Sequence, residues 1–257
     1  MYQTLEEAIT ASEKYPRKGN LYLLEGDEDS WEIHTENSLE IGKPTAYTIK
    51  PNGEVIRERI YPTPCGLCHS VTHILNATAS EEKKERLRKW QHKMDKIHGT
   101  GQGKATRDES ARRGTNCHTA IAHFMRGTLK EHPQSVYFES VLPLLKLIRS
   151  QEIIGLEQFV WSKKGYAGRY DLITDWEGVP TIFDWKTSHR PKRKQWLDDH
   201  FIQTTAYSLA REERTLLPCE QMAIVVIHPK GFQVFTEPLS QWRDAWEERL
   251  NHFLATI

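Results

Sequence analysis

Gly168-Arg169-Tyr170-Asp171-Leu172-Ile173-Thr174-Asp175-Trp176-Glu177-Gly178-Val179-Pro180-Thr181-Ile182-Phe183-Asp184-Trp185-Lys186 reads as two strands folded on a tight turn. Glu177-Gly178 separates two apolar-containing runs, Gly168 to Trp176 and Val179 to Thr187, and Gly supplies the positive φ that a two-residue hairpin requires. With Trp176 facing Val179, counting back five residues along each strand sets Asp171 opposite Asp184. Side chains two apart on a strand share a face, so Lys186 joins them. Opposed carboxylates with Cβ atoms about 5 Å apart repel one another unless a cation lies between them. A hard divalent ion, held by Asp oxygens and completed by water and substrate phosphate, meets that need. A neighbouring ammonium would orient an attacking water or offset developing charge, and the combination suits phosphodiester hydrolysis. Two surface Asp and a surface Lys on an ordinary hairpin are the plain alternative.

Motifs on either side decide between these readings. Gly168-Arg169-Tyr170-Asp171, Ile182-Phe183-Asp184-Trp185-Lys186-Thr187-Ser188 and Gln203-x-x-x-Tyr207 follow one another, preceded by Ser70-Val71-Thr72-x-Ile74-Leu75-x-x-Thr78 and Arg113-Gly114-Thr115-x-x-His118-x-x-Ile121. This order resembles the PD-(D/E)XK nuclease superfamily in its RecB-like branch. More narrowly, it is similar to the mitochondrial genome maintenance exonuclease family and related phage exonucleases. The resemblance covers roughly Tyr61 to Arg211. Tyr170 stands where the superfamily pattern has Pro, at a position that varies freely there.

Bulk composition bounds the rest. A chain of 257 residues is long enough to bury a full-sized core as one elaborated domain. Lys plus Arg and Asp plus Glu are 35 each, so a nucleic-acid partner must meet a local basic stripe and not a basic surface. The sequence has no long unbroken apolar run, which predicts no transmembrane helix. Met1 to Glu7 lacks the apolar core of a signal peptide, and its early acids argue against a mitochondrial transit peptide. The expected setting is cytoplasmic, in a bacterium or as a viral protein within its host cell. Four cysteines are too few for a disulfide framework in a chain of this length, consistent with a reducing compartment.

Residues 1–62 read as a β-rich appendage: a short helix over Leu5 to Tyr15 ended by Pro16, then strands at Asn20–Leu24, Trp31–His34, Ala46–Lys50 and Val55–Ile60, the last two joined across Pro51-Asn52-Gly53-Glu54. It would either border the substrate entrance or merely stabilise the core. Cys65-Gly66-Leu67-Cys68-His69 matches the haem-attachment spacing, but that attachment occurs in exported proteins. Part of a zinc site is a second reading, with Cys117 and Cys219 as distant partners. Simple reduced thiols are the preferred one.

Ser80 is the expected N-cap of a helix to about Ile97. Gly99-Thr100-Gly101-Gln102-Gly103-Lys104 imitates a phosphate loop but fails its spacing and reads as a flexible connection. Helices are expected over Thr106–Gly127, Gln134–Arg149 with a kink or interruption at Pro143, and from the basic run to about Glu213. A strand is expected over Ile153–Trp161. A final hairpin, Met222–His228 with Gly231–Thr236, carries a buried central strand. An amphipathic helix over Leu239–Ile257 places Trp242, Trp246, Leu250 and Phe253 inward.

His118 lies beside a core-facing stripe with Ile121 and Met125, so the residues alone allow a packed core histidine; the resemblance implies that it reaches a metal. Glu157 is a solvent-facing strand acid on its own, or, by resemblance, the residue that orients the attacking water. Arg112 and Arg113, then Lys163, Lys164 and Arg169 around the hairpin, are candidate phosphate contacts. His189-Arg190-Pro191-Lys192-Arg193-Lys194 is the dense basic run of the chain, and Arg190, Lys192, Arg193 and Lys194 read as DNA contacts. Gln203 and Tyr207 share one helix face and would hydrogen-bond or stack the strand being cut.

The expected fold is α/β, a restriction-endonuclease-like core with a mixed central β-sheet flanked by helices, in a nuclease domain over residues 63–257 behind the appendage. The expected activity is metal-dependent DNA hydrolysis with Mg²⁺ or Mn²⁺. Asp171, Asp184, the Trp185 carbonyl and His118 would hold the ion, with Lys186 and Glu157 serving the water. By resemblance the substrate is single-stranded DNA with a free end, in replication, repair or recombination. A replication or recombination protein is the implied partner. A structure-selective endonuclease of the same fold, or a module that grips DNA ends without cutting, are the rivals.

Overall fold

The computed structural model describes residues 1–15, 19–25 and 30–257. Pro16, expected to end the first helix, lies outside them. The chain divides into two compact units, residues 1–74 with 159–168, and residues 75–158 with 169–257.

In the first unit, α1 (Leu5–Ser12) starts at Thr4, whose side chain accepts from the Glu7 N–H while Glu7 reaches back to the Thr4 backbone. Strands β1 (Leu21–Glu25), β2 (Trp31–Thr35), β3 (Tyr47–Ile49) and β4 (Val55–Ile56) form the expected N-terminal antiparallel sheet in the order β2-β1-β3-β4. Ala8 of α1 packs with Leu21, Leu23 and Ile49 as its core. The strand expected over Val55–Ile60 is broken. β4 stops at Ile56 because Ile60 turns to Thr45: the Thr45 N–H donates to the Ile60 carbonyl at 2.8 Å and the Ile60 N–H to Thr45 Oγ1. Ile60 therefore opens β5 (Ile60–Thr63), which pairs with β6 (Gly66–Ser70) in a hairpin that the sequence reading did not contain. The chain then enters α2 (Val71–Ala77), where Ser70 Oγ accepts the His73 N–H at 3.0 Å.

The second unit begins with α3 (Glu81–His98), capped by Ser80 as expected. The next helix, α4 (Gln102–Arg126), starts before the expected Thr106. Gly101 takes a left-handed conformation ahead of it, and a Cβ at Gly103 would fall 2.7 Å from Gln91 Cγ. The glycine-rich stretch is thus a tight crossing between two helices and not a loose connection. α5 (Val136–Arg149) contains Pro143 and buries Val141, Leu145 and Ile148.

The strands β7 (Ile153–Ser162), β8 (Tyr166–Trp176) and β9 (Val179–Thr187), helix α6 (Asp198–Thr215), strands β10 (Gln221–His228) and β11 (Gly231–Pro238), and helix α7 (Arg243–Leu254) complete the chain. β11, β10, β9 and β8 lie in that order, with β9 and β10 parallel, the other pairs antiparallel and β7 against β8, which makes the expected mixed sheet. Trp176 faces Val179 and Leu172 faces Phe183, as the turn at Glu177-Gly178 predicts.

One face of this sheet presents Leu172, Phe183, Trp185, Ala223, Val225 and Ile227 to Cys117, Ile121 and Met125 of α4 and to the apolar face of α5. Each large apolar side chain buried there contributes about 1.5–3 kcal/mol. Alternation along β9 puts Asp184 and Lys186 on the other face, and Asp171 stands where the β8–β9 pairing ends. α6 packs on β9 and β10, while Trp246, Leu250 and Phe253 bury the inner face of α7. Among the described residues no helix is long and apolar enough to cross a membrane.

Candidate active site

The register of β8 and β9 ends one residue short of the two aspartates, and there hydrogen bonds to side chains replace the ladder. Asp171 Oδ2 accepts the Trp185 N–H at 2.7 Å. Asp171 Oδ1 faces His118 Nδ1 at 3.2 Å, and His118 Nε2 lies 2.8 Å from the Trp185 carbonyl. Lys186 Nζ sits 2.8 and 2.7 Å from the two oxygens of Asp184. α4 delivers His118 because its stripe of Cys117, Ile121 and Met125 is fixed in the core, which turns the next position towards the sheet end. Of the two readings open for His118, the geometry supports the one in which it joins the carboxylates.

Both partners of the His118 ring are acceptors, an arrangement that favours a proton on each ring nitrogen. The electrostatics agree. Burial pushes the His118 pKa down, but the charge and hydrogen bond of Asp171 outweigh it and raise it above the ordinary imidazole value. For Asp171, burial favours the neutral acid, yet His118, Lys186 and the Trp185 N–H hold it below the usual carboxylate range. Asp184 goes the other way: burial pushes it up to about 6 against the pull of Lys186, and the Asp171 charge adds to the rise. Two carboxylates with separated pKa values beside one ammonium mark a site prepared for charge or proton chemistry.

Glu157 comes from β7 by an unusual backbone. Its φ is +51°, a left-handed conformation inside a strand, which kinks β7 and re-aims the side chain. Burial and the Asp171 charge raise its pKa, although Arg169 Nε pairs with its Oε2 at 2.9 Å. His118, Glu157 and Asp171 each offer a donor atom within 4.8 Å of the others. Carboxylates dominate this set, which suits a hard divalent cation. Asp184 stands outside that group and is engaged by Lys186. The Trp185 carbonyl, expected among the ligands, receives His118.

Arg112 is exposed and Arg113 half-buried on α4, where both line a cavity of about 490 Å³ with Asn116 and Gln134. The Arg113 guanidinium lies 5.1 Å from the Tyr137 ring centre, and its buried Nε has no hydrogen-bond partner among the described residues. Lys163 and Lys164 are exposed in the turn between β7 and β8, within the first unit. Arg190, Lys192, Arg193 and Lys194 are all exposed as a run. Within it, Lys194 pairs with Glu237, Arg193 covers the Trp196 ring at 5.5 Å, and the Lys192 backbone is held by Gln233.

Gln203 Nε2 donates to the Tyr207 hydroxyl at 2.9 Å, and Tyr207 is only 6% exposed. Tyr207 thus presents little of its ring at the surface. His200, one turn before Gln203, was not singled out in the sequence. Burial drives its pKa to about 3, with the Lys186 charge next in effect. An isolated His in a helix gives no signal until the fold brings it to a lysine.

Residues 135–257 match the model of the PD-(D/E)XK nuclease superfamily, as the order of motifs implied. The chain is also similar to the human protein named mitochondrial genome maintenance exonuclease 1, 27% identical over 201 residues that cover 72% of this chain and 57% of that one. The mouse protein of the same name is 29% identical over 147 residues, 54% of this chain and 42% of that one. The chain thus spans about half the length of these curated relatives. Among solved structures, SSO0001 superposes at a TM-score of 0.39 with 16% identity, covering 73% of this chain and 74% of that one. The family match and the exonuclease-named relatives support a nuclease function.

Proposed function

We propose, from the place of residues 135–257 in the PD-(D/E)XK nuclease superfamily, that this chain is a metal-dependent DNA exonuclease acting on ends of single-stranded DNA. The observation that carries the reading is the convergence of His118, Glu157, Asp171, the Trp185 carbonyl, Asp184 and Lys186 at the end of β8 and β9. His118, Asp171, Asp184 and the Trp185 carbonyl would hold Mg²⁺ or Mn²⁺, which when bound supplies Lewis acidity towards the scissile phosphate. Binding requires His118 to give up the proton it shares with Asp171. Lys186 places a positive charge where the attacking water and the developing phosphorane charge meet. Glu157, with its raised pKa, would accept a hydrogen bond from that water.

The substrate reading rests on three further observations. The exonuclease-named relatives favour end-dependent cleavage. Arg112 and Arg113 line the cavity of about 490 Å³ on α4, where a guanidinium would meet a phosphate oxygen. The exposed Arg190, Lys192 and Arg193 supply the local positive charge that a neutral chain otherwise lacks. Arg112, Lys163, Lys164, Arg169 and Lys194 are assigned as weaker backbone contacts. Residues 1–62 form the appendage in this scheme and residues 63–257 the nuclease domain. Its setting is replication, repair or recombination in a bacterial cytoplasm or an infected host cell, alongside a replication or recombination protein.

Degradation of end-labelled linear and covalently circular single-stranded DNA, with Mg²⁺, Mn²⁺ or EDTA, separates the readings. Metal-dependent loss of linear DNA alone supports the exonuclease. Cutting of circles supports an endonuclease of the same fold, and binding without cutting supports an end-gripping module.

A further inference from the structure

His69 closes the Cys65-Gly66-Leu67-Cys68-His69 stretch, and the fold separates it from both cysteines. Along β6 the Cys68 side chain is buried on one face, where its thiol is pushed up to about 11 by burial and stays protonated. His69 points to the other face. There Ile60 pairs with His69 across the β5–β6 hairpin, so Glu58, two residues before Ile60, is its diagonal neighbour. The Ser70 cap then turns the chain into α2, which carries His73 back over the same spot.

Side chains from the loop before β5, from β6 and from α2 thereby meet. Glu58 Oε1 lies 2.8 Å from His69 Nδ1 and 3.9 Å from His73 Nε2, and the two imidazoles stack with their centres 5.8 Å apart. Donor atoms on all three fall within 4.8 Å of one another. Around a tetrahedral ion with bonds of about 2.0–2.1 Å, neighbouring donors stand about 3.3 Å apart, a value that the two Glu58 distances bracket. The three side chains are 19–26% exposed, so ion and water can enter while most of the site is walled.

We propose that Glu58, His69 and His73 form a second metal site, for a divalent ion of borderline softness such as Zn²⁺, distinct from the candidate active site. Two imidazoles and one carboxylate with an open fourth position select this class, whereas the carboxylate-rich set around Asp171 suits Mg²⁺ or Mn²⁺. A bound ion would tie the loop before β5 to the start of α2, and so fasten the Ser70-Val71-Thr72 stretch.

Co²⁺ titration of the chelator-stripped full chain tests this with a readout independent of cleavage. Saturable visible absorption without a thiolate band in the near ultraviolet, displaced by Zn²⁺, is expected. Glu58→Gln and His73→Ala should each weaken it by at least about 100-fold, more than loss of an outer-sphere partner costs. Cys65→Ser should leave it unchanged. No absorption in the wild-type chain, a thiolate band, or undiminished binding in folded Glu58→Gln and His73→Ala would overturn the proposal. Should either variant fail to fold, X-ray absorption of the Zn²⁺-loaded wild type decides: two imidazole nitrogens in the first shell support the site, and sulfur there refutes it.

Discussion

At Asp184 two effects oppose one another: burial favours the neutral acid and the Lys186 ammonium favours the carboxylate, and burial prevails enough to leave the pKa at about 6. In the proposed reaction Lys186 would both keep Asp184 available and meet charge on the substrate. Lys186→Met is expected to slow cleavage by about 10²- to 10⁴-fold with DNA binding retained, measured in single turnover. Glu157→Gln should lower cleavage while leaving the melting temperature near that of the wild type, because Gln keeps the volume of the buried side chain and burial there favours a neutral group. His200 gives a pH prediction. Its folded-state value of about 3 lies below the ordinary imidazole value, so the unfolded chain binds a proton first as pH falls. The stability from neutral His200 is present above pH 6.5 and drains away between about 6.5 and 3, at up to about 1.4 kcal/mol per pH unit. Relative to wild type, His200→Gln should therefore gain in thermal stability as pH is lowered from 7 to 4. Parallel melting curves across that range would refute this account of His200.

β7 shows how an element is shaped for a site. Tyr170 of β8 is buried, its hydroxyl donates to Gln158, and a Cβ at Gly155 would overlap that hydroxyl. Gly155→Ala should then cost about 1–3 kcal/mol by overpacking. Combined with Tyr170→Phe, which removes the obstructing oxygen, it should cost less than the two single changes added together. The hairpin itself was legible because Glu177-Gly178 fixes its register and its pattern alternates with period two. The kink at Glu157 was not, since nothing in Gly155-Leu156-Glu157 announces a positive φ. Likewise Gly103 looked like loop composition, and only its close approach to Gln91 reveals a helix crossing. The β5–β6 hairpin was hidden by Pro62 and Pro64, which lower strand propensity without forbidding an edge position.

Over the whole molecule, the carboxylates and lysine of the candidate site were readable because strand periodicity and motif order place them together. The Glu58-His69-His73 cluster was not, since Glu58 comes from a loop and the cysteines beside His69 drew the reading away from His73. The chain carries no net charge, so the proposed DNA affinity must come from where basic residues gather. Arg190→Ala, Lys192→Ala and Arg193→Ala should each reduce the slope of log affinity against log salt by up to about one. Lys194→Ala should change it less, because Glu237 already neutralises that ammonium. The proposed role of Asp171 is to anchor the nuclease centre with His118 and the Trp185 backbone. Its most direct test is the single-turnover rate of linear single-stranded DNA hydrolysis by wild type and Asp171→Asn at saturating Mn²⁺, with DNA binding measured in parallel. A loss of at least about 10³-fold with binding retained is predicted. Cleavage by a folded Asp171→Asn chain at the wild-type rate would contradict it.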